Sequence, residues 1–358
     1  MKKVFIDEPY HVQIKDVITP TPADGELLVK TELSGISAGT EMMLYRGTFP
    51  NLRLKKWPPY QNYPICPGYE LVGTVTEIGK SSRHGRDNPQ IGSIGPGSQV
   101  LMTTTDDFEV GDRVVCLGEH GEYAVVPAAF AAKLPDCVPS EEATLAVLAT
   151  TAMHAVRQAG VCYGDVAAVV GVGVLGLLTV QHLKNSGARS VVALDIADER
   201  LDTSVKCGAD MVINPMKEDA GKAILSRYGI LADVVIEASG FPGTERLATE
   251  IARDRGTVVI LGWHTDDMAF DFSEFFYKEL TIRATRAVGP EAGLPYSYVR
   301  YGSDQSLKWA VELFEKGRLS GEHVKPARYS YEDIGLAYKL IDQRDPVAGL
   351  QVVLDWQA

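Results

Sequence analysis

Ala167-Ala168-Val169-Val170-Gly171-Val172-Gly173-Val174-Leu175-Gly176-Leu177-Leu178-Thr179-Val180-Gln181-His182 is the stretch on which the fold turns. Small and β-branched apolar residues read as a strand, the glycines as a turn, and the apolar residues after them as the start of a helix. A G-x-G-x-x-G pattern alone is a weak signal. Between a strand and a helix it meets the demands of phosphate binding. Gly171 permits the tight turn, Gly173 lets the backbone approach a pyrophosphate, and Gly176 lets the helix pack close to the sheet. Val174, Leu175 and Gly176 then stand at a helix N-terminus, where unpaired N–H groups and the positive dipole end favour phosphate. The next strand, Ser190-Val191-Val192-Ala193-Leu194, ends in Asp195, roughly 20 residues past the glycines. A carboxylate there accepts hydrogen bonds from both hydroxyls of an adenosine ribose and repels a 2′-phosphate. Ile196 follows, with no arginine immediately beside Asp195, so the reading is NAD in preference to NADP. A merely structural glycine turn would not require strand, glycines, helix and acid to fall in register.

Outward from this stretch, strands and helices alternate. A helix over 175–185 closes at Gly187, and another runs from about 197 to 206; later strands cover 232–238 and 256–261. Short apolar strands alternating with helices imply a doubly wound parallel sheet covered on both faces. The first third is different. Glu26-Leu27-Leu28-Val29-Lys30-Thr31, residues 71–78, Gly111-Asp112-Arg113-Val114-Val115 and Glu122-Tyr123-Ala124-Val125-Val126-Pro127 are β-type runs bounded by Gly and Pro. Residues 80–99 are polar and glycine-rich and read as a surface excursion. From Ser140, a plausible helix cap followed by Glu141 and Glu142, the pattern turns helical.

The chain has 358 residues, too many for one ordinary core, so two domains are expected. With 45% hydrophobic and 23% charged residues it reads as a soluble globular protein. A net charge of −12 repels phosphate backbones and argues against a nucleic-acid partner. Asp7 interrupts any signal-peptide core, and no uninterrupted apolar run reaches spanning length, so no membrane partner and a cytoplasmic location are expected. Cys66, Cys116, Cys137, Cys162 and Cys207 are scattered and form no C-x-x-C pair, which argues against a disulfide framework or a cysteine-built zinc site.

Gly35-Ile36-Ser37, Pro67-Gly68-Tyr69-Glu70-Leu71-Val72-Gly73, Val110-Gly111-Asp112-Arg113-Val114, Val234-Val235-Ile236-Glu237-Ala238-Ser239-Gly240 and Gly256-Thr257-Val258-Val259-Ile260-Leu261-Gly262 complete a set. Over nearly its whole length the chain resembles the medium-chain dehydrogenase/reductase superfamily. Gly35-Ile36-Ser37-Ala38-Gly39-Thr40-Glu41 together with Pro67-Gly68-Tyr69-Glu70 is similar to its bacteriochlorophyllide dehydrogenase-like branch. The resemblance implies a GroES-like β-rich catalytic domain over 1–155, completed by 284–358, and a Rossmann NAD-binding domain over 156–283. It implies a substrate cleft between the two, and homodimers or homotetramers. It also brings Thr151, Ser239, Gly262 and Trp263 to the nicotinamide side of the cofactor.

In zinc-dependent relatives the first metal ligand follows Gly-Ile, and here it is Ser37. The histidine of a Gly-His-Glu motif is Tyr69, and a further ligand position is Val147. Glu70, a second-shell or alternate ligand in relatives, is retained. Residues 79–110 contain no cysteine, so the four-cysteine structural zinc site is absent as well. Both zincs are expected to be missing. Without a metal to acidify the alcohol, a side chain must exchange its proton. Tyr69 is a candidate if its pKa is lowered, and equally a packed aromatic filling the vacated space. Ser37 and Thr40 could orient the hydroxyl or relay a proton. Glu70 could polarise a neighbour, or be a structural carboxylate bonded to backbone. His120 titrates in the useful range, although a turn histidine is the commoner case; for His154, packing is the better reading. His264 and Trp263 follow a Rossmann strand, and Arg286 suits either an anionic group or an ion pair. Residues 45–60, with Tyr45, Arg46, Trp57 and Tyr60, fit a binding lip or an ordinary loop.

The expected activity is zinc-independent, NAD-dependent interconversion of a secondary alcohol and a ketone on a sugar, cyclitol or secondary-metabolite ring. A zinc-free enoyl or quinone reductase is the alternative, and Asp195 weighs against its usual NADPH. A non-catalytic NAD-binding protein is the third reading.

Overall fold

The computed structural model describes residues 1–56, 60–80, 103–264, 271–290 and 301–357. In chain order the elements are β1 (Lys2–Glu8), β2 (His11–Asp16), β3 (Glu26–Ile36), α1 (Thr40–Arg46), α2 (Pro50–Leu54), β4 (Glu70–Ile78), β5 (Arg113–Cys116), β6 (Tyr123–Pro127), β7 (Ala131–Lys133), α3 (Ser140–Ala143) and α4 (Ala146–Ala159). Then come β8 (Val166–Val170), α5 (Val174–Asn185), β9 (Ser190–Leu194), α6 (Asp198–Lys206), β10 (Met211–Ile213), α7 (Ala220–Tyr228), β11 (Ala232–Glu237), α8 (Thr244–Ile251), β12 (Ala252–Ile260), α9 (Phe272–Tyr277) and β13 (Thr281–Ala284). The last are α10 (Ser303–Glu315), β14 (Ala327–Ser330), α11 (Ile334–Asp342) and β15 (Val352–Asp355).

The chain divides into two compact units. The first comprises 1–150, 288–317 and 325–358; the second comprises 151–287 and 318–324. In the first unit a sheet of order β14-β15-β3-β4-β5-β7, with β6 also paired to β3, is joined by the separate hairpin β1-β2. Most of its pairings are antiparallel, and β14 alone runs parallel to β15. The C-terminal β15 therefore completes a sheet begun near the N-terminus. β3 runs on to Ile36, past the six residues read from its alternation. Its second half pairs with both β4 and β15 and is almost wholly buried, so polar-out alternation is lost.

The second unit carries a parallel sheet of order β10-β9-β8-β11-β12-β13. Every residue of β8 and β9 is buried, as expected where helices cover both faces. Counted from β8, that order is 3-2-1-4-5-6, and the direction of winding reverses between β8 and β11. The crevice at the C-terminal ends of those two strands is where such sheets take ligands.

One local expectation is corrected. Ser140 is the first residue of α3 rather than its cap, and Pro139 precedes it without a side-chain cap bond. The Ser140 hydroxyl instead accepts from Arg113 at 2.7 Å and donates to Glu32 at 2.6 Å. Residues 81–99 of the polar stretch, and residues 57–59 of the aromatic one, lie outside the described residues.

Candidate functional site

In the second unit the site is built on the β8–α5 turn. Gly171 has φ +87°, and a Cβ there would lie 2.5 Å from the Cβ of Ser239, which follows β11. A Cβ on Gly176 would meet the Gly171 carbonyl oxygen at 2.0 Å. These two glycines are required by packing. Gly173 differs: a Cβ there meets nothing within 4 Å. Gly173 caps α5 with no side-chain bond, and the first-turn amides of Val174, Leu175 and Gly176 follow it. An open approach to bare helix amides is what a pyrophosphate needs.

Asp195 follows β9 and is 8% exposed. Its Oδ2 accepts from the Val172 amide at 2.9 Å and its Oδ1 from the Ala197 amide at 3.0 Å. The carboxylate is thus fixed against the glycine turn. Arg200, in the first turn of α6, brings Nη1 to 3.9 Å from Oδ2. A reading confined to the residues flanking Asp195 missed this cation, which one helical turn carries back to the strand end.

The loops after β11 and β12 are held by one carboxylate. Buried Glu237 accepts through Oε1 from the Ser239 amide at 2.8 Å, the Ser239 hydroxyl at 2.5 Å and the Thr244 hydroxyl at 2.9 Å. Its Oε2 lies 2.9 Å from His264 Nε2. Gly262 donates its amide to the Glu237 carbonyl, and Gly240 packs against the Trp263 backbone. Ser239, Gly262 and Trp263 are therefore brought together, with half of Trp263 left exposed. Thr151 is buried in α4. His154 is half-buried, and burial, then Arg157 and Arg286, hold its pKa below the usual histidine value. Arg286 is exposed.

In the first unit, Ser37, Thr40, Tyr69 and Glu70 come together. Gly68 has φ +107° and sits hard against His120, so the chain turns there and brings Tyr69 beside the Ser37 and Thr40 hydroxyls, which act to lower the pKa of its phenol. Gly35 lies so close to Glu70 and Gln351 that a Cβ would approach Glu70 Oε2 to 2.5 Å. Burial, then the Glu70 and Glu41 carboxyls, push the Tyr69 pKa well above the phenol range, outweighing the opposite pull of the two neighbouring hydroxyls. Burial, then Glu41, push Glu70 well above the carboxylate range. Glu70 is fully buried; its Oε2 accepts from the Gln351 side-chain amide at 2.9 Å, and its Oε1 has no partner. The expected backbone bonding of Glu70 is replaced by a side chain from just before β15.

His120 is corrected. It is fully buried, with Nε2 2.9 Å from Glu41 Oε2 and Nδ1 2.8 Å from the Ser34 hydroxyl. Both ring nitrogens are engaged within the protein, so neither is presented to a substrate. Glu41 belongs to the same motif as Ser37 and Thr40 and stands in the first turn of α1, where an acid normally faces water. It is fully buried and also bonds the Tyr338 hydroxyl at 2.6 Å and the Ser37 amide at 2.9 Å. The binding-lip reading of residues 45 and 46 is overturned as well. Tyr45 packs edge-on between Tyr10 and Tyr338, and Arg46 pairs with Asp342 at 2.6 Å.

Among the described residues there is no group of three or more His, Cys, Asp or Glu side chains able to hold a metal, and no helix long and apolar enough to cross a membrane.

Residues 23–136 match the family model of the alcohol dehydrogenase GroES-like domain, and residues 174–295 that of zinc-binding dehydrogenase. The chain is 29% identical to the starvation-sensing protein RspB of Escherichia coli K12, covering 96% of each chain. It is 31% identical to L-threonine 3-dehydrogenase of Pyrococcus horikoshii, over 76% of this chain and 79% of that one. Among solved structures, 2R,3R-butanediol dehydrogenase from Bacillus subtilis superposes with a TM-score of 0.76 at 21% identity, covering 99% of both chains. An NADH complex of RspB from E. coli CFT073 gives 0.77 at 23% identity, with the same coverage.

Proposed function

Because the chain belongs to the medium-chain dehydrogenase/reductase superfamily of oxidoreductases, we propose that it is a zinc-independent, NAD-dependent dehydrogenase acting on a secondary alcohol of a sugar- or cyclitol-like ring. The catalytic half is assigned to 1–155 with 284–358, and the nucleotide half to 156–283. The observation that carries the proposal is the cradle of three hydroxyls, Ser37, Thr40 and Tyr69, beside Glu70. Zinc binds thiolate, imidazole or carboxylate. This cradle offers instead a serine hydroxyl, a phenol held protonated and a carboxyl whose pKa is raised. That donor set does not fit the metal, and no step is routed through one.

In the proposed reaction the alcohol carbon gives a hydride to the nicotinamide, and the alcohol oxygen gives up its proton. Tyr69, beside Ser37 and Thr40, donates a proton to the ketone oxygen in reduction; in oxidation it takes one back once it has lost its own. Its raised pKa keeps the phenol protonated, which holds the proton that reduction needs while making it a weaker acid. Asp195, fixed by two amides, supports NAD through the ribose hydroxyls. The secondary-alcohol class is supported by a relative named for L-threonine, and the polyol class by one named for erythritol/L-threitol.

The test is turnover of purified protein against cyclic and acyclic secondary polyols with NAD and NADP, beside metal analysis. NAD-linked oxidation of a ring polyol, unaffected by a chelator and with far less than one zinc per chain, is expected. Stoichiometric zinc would overturn the metal-free reading. Preferential NADPH reduction of an enone would replace it with the reductase reading, and cofactor binding without turnover with the non-catalytic one.

A further inference from the structure

The Ser37–Thr40 loop and the Tyr69 segment, which relatives tie together through a metal, are tied here through a buried hydrogen-bond network. We propose that Glu41 and His120 are positioning residues for the reaction centre. They hold the Ser37 and Thr40 hydroxyls where they fix the Tyr69 phenol.

The network joins five parts of the chain. Glu41 opens α1 next to Thr40, and its Oε1 accepts the Ser37 amide at 2.9 Å. Its Oε2 accepts the Tyr338 hydroxyl, from α11, at 2.6 Å and the His120 Nε2–H at 2.9 Å. His120 Nδ1 lies 2.8 Å from the Ser34 hydroxyl on β3, which accepts the Trp356 indole N–H at 2.8 Å. The His120 amide donates to the Pro67 carbonyl, two residues before Tyr69.

Donor and acceptor roles are set from the acid. An ionised Glu41 can only accept, so the His120 ring carries a proton on Nε2, facing it. The indole can only donate, so Ser34 accepts from it, and its hydroxyl either gives its own proton to Nδ1 or accepts a second one there. Glu41 then receives three donors and gives none, which suits a carboxylate and no other side chain of that length. A glutamine there turns its amide NH2 either toward the Ser37 N–H, where donor meets donor, or toward Nε2 and the Tyr338 hydroxyl, where the imidazole must change tautomer and the hydroxyl must turn to accept. The conflict spreads to the loop that carries Ser37 and Thr40. None of these five side chains is free to meet a substrate. Ser34, Glu41, His120 and Tyr338 are fully buried and Trp356 is 8% exposed.

The inference rests on the proposed reaction for its kinetic readout but not for its structural one. Glu41→Gln and Tyr338→Phe are compared with the parent protein, each also carrying 3-fluorotyrosine at position 69. Both variants are checked by thermal melting and for NAD binding. For Glu41→Gln the expected results are an NAD affinity equal to the parent's, a kcat lower by roughly 100-fold, as a displacement near 1 Å produces, and a shifted or broadened 19F resonance. Tyr338→Phe removes one of three donors and should fall between. A Glu41→Gln protein that melts early yet keeps both kcat and the 19F signal would make the network purely structural and overturn the inference. If the parent turns over no alcohol, the proposed reaction fails. The 19F comparison then still decides the positioning claim. Should Glu41→Gln not fold, the same signal in Tyr338→Phe decides it.

Discussion

Two glycines of one turn should fail in opposite ways when replaced by alanine. At Gly171, φ is +87° and the new Cβ would lie 2.5 Å from the Ser239 Cβ and 2.8 Å from its Cα. The left-handed backbone costs an L-residue about 1–2 kcal/mol. The overlap with the β11 loop adds about 1–3 kcal/mol, because that loop is itself pinned by Glu237 and cannot move aside. The sum is about 2–5 kcal/mol, or a melting temperature lower by roughly 4–20 °C for a unit of this size. At Gly173, φ is −67° and the Cβ meets nothing within 4 Å. Its weaker helix capping is offset by reduced freedom of the unfolded chain, so stability should stay within about 1 kcal/mol. The empty space, however, is where the pyrophosphate of the proposed cofactor would approach. Losing one charge-assisted amide bond costs about 1.5–3 kcal/mol, equivalent to a Kd for NAD raised roughly 10- to 150-fold. Differential scanning fluorimetry without ligand and NADH fluorescence titration read the two effects separately. The reasoning fails if Gly173→Ala lowers the melting temperature as Gly171→Ala does, or if it binds NAD as tightly as the parent.

Asp195→Ala removes the carboxylate that would repel a 2′-phosphate and frees Arg200, 3.9 Å away, to meet one. The ratio of kcat/KM for NADP over NAD should rise by at least about tenfold, one charge-assisted bond's worth, and an unchanged ratio would show that Arg200 does not reach the ribose. Glu70 has a folded pKa well above its ordinary value of 4.5. Its contribution to stability is therefore complete below that value and is lost as pH rises through the folded pKa, since the unfolded chain releases the proton first. Glu70→Gln should flatten the fall in melting temperature as pH rises above 4.5; parallel curves would refute the assignment. Tyr69→Phe should lower kcat by about 100- to 10,000-fold with NAD binding intact. In the parent, ketone reduction should vary little over neutral pH while oxidation rises with pH, because the phenol stays protonated there.

The hydroxyl cradle shows how far a linear reading reaches. Ser37, Thr40, Tyr69 and Glu70 were identified from two short motifs, and the fold does bring them together. Yet Tyr69 reaches Ser37 and Thr40 only because Gly68 turns the chain, and Glu70 is bonded by Gln351, 281 residues away in sequence. No local pattern encodes that separation. Glu41 and His120 show the converse. Read locally, one is a first-turn acid and the other a turn histidine, and both should face water. Packing of α11 and β15 over them removes the water and turns them into partners.

Period and punctuation along the chain determined the parallel nucleotide-binding sheet, its glycine turn and its terminal acid, because those depend on contacts between near neighbours and on backbone freedom at single residues. Tertiary structure alone decided which polar groups are dry. Burial is set by what distant segments place on top of a residue. For that reason Arg200 comes to Asp195, His120 is enclosed with both ring nitrogens engaged, and Glu41 is buried within the first unit.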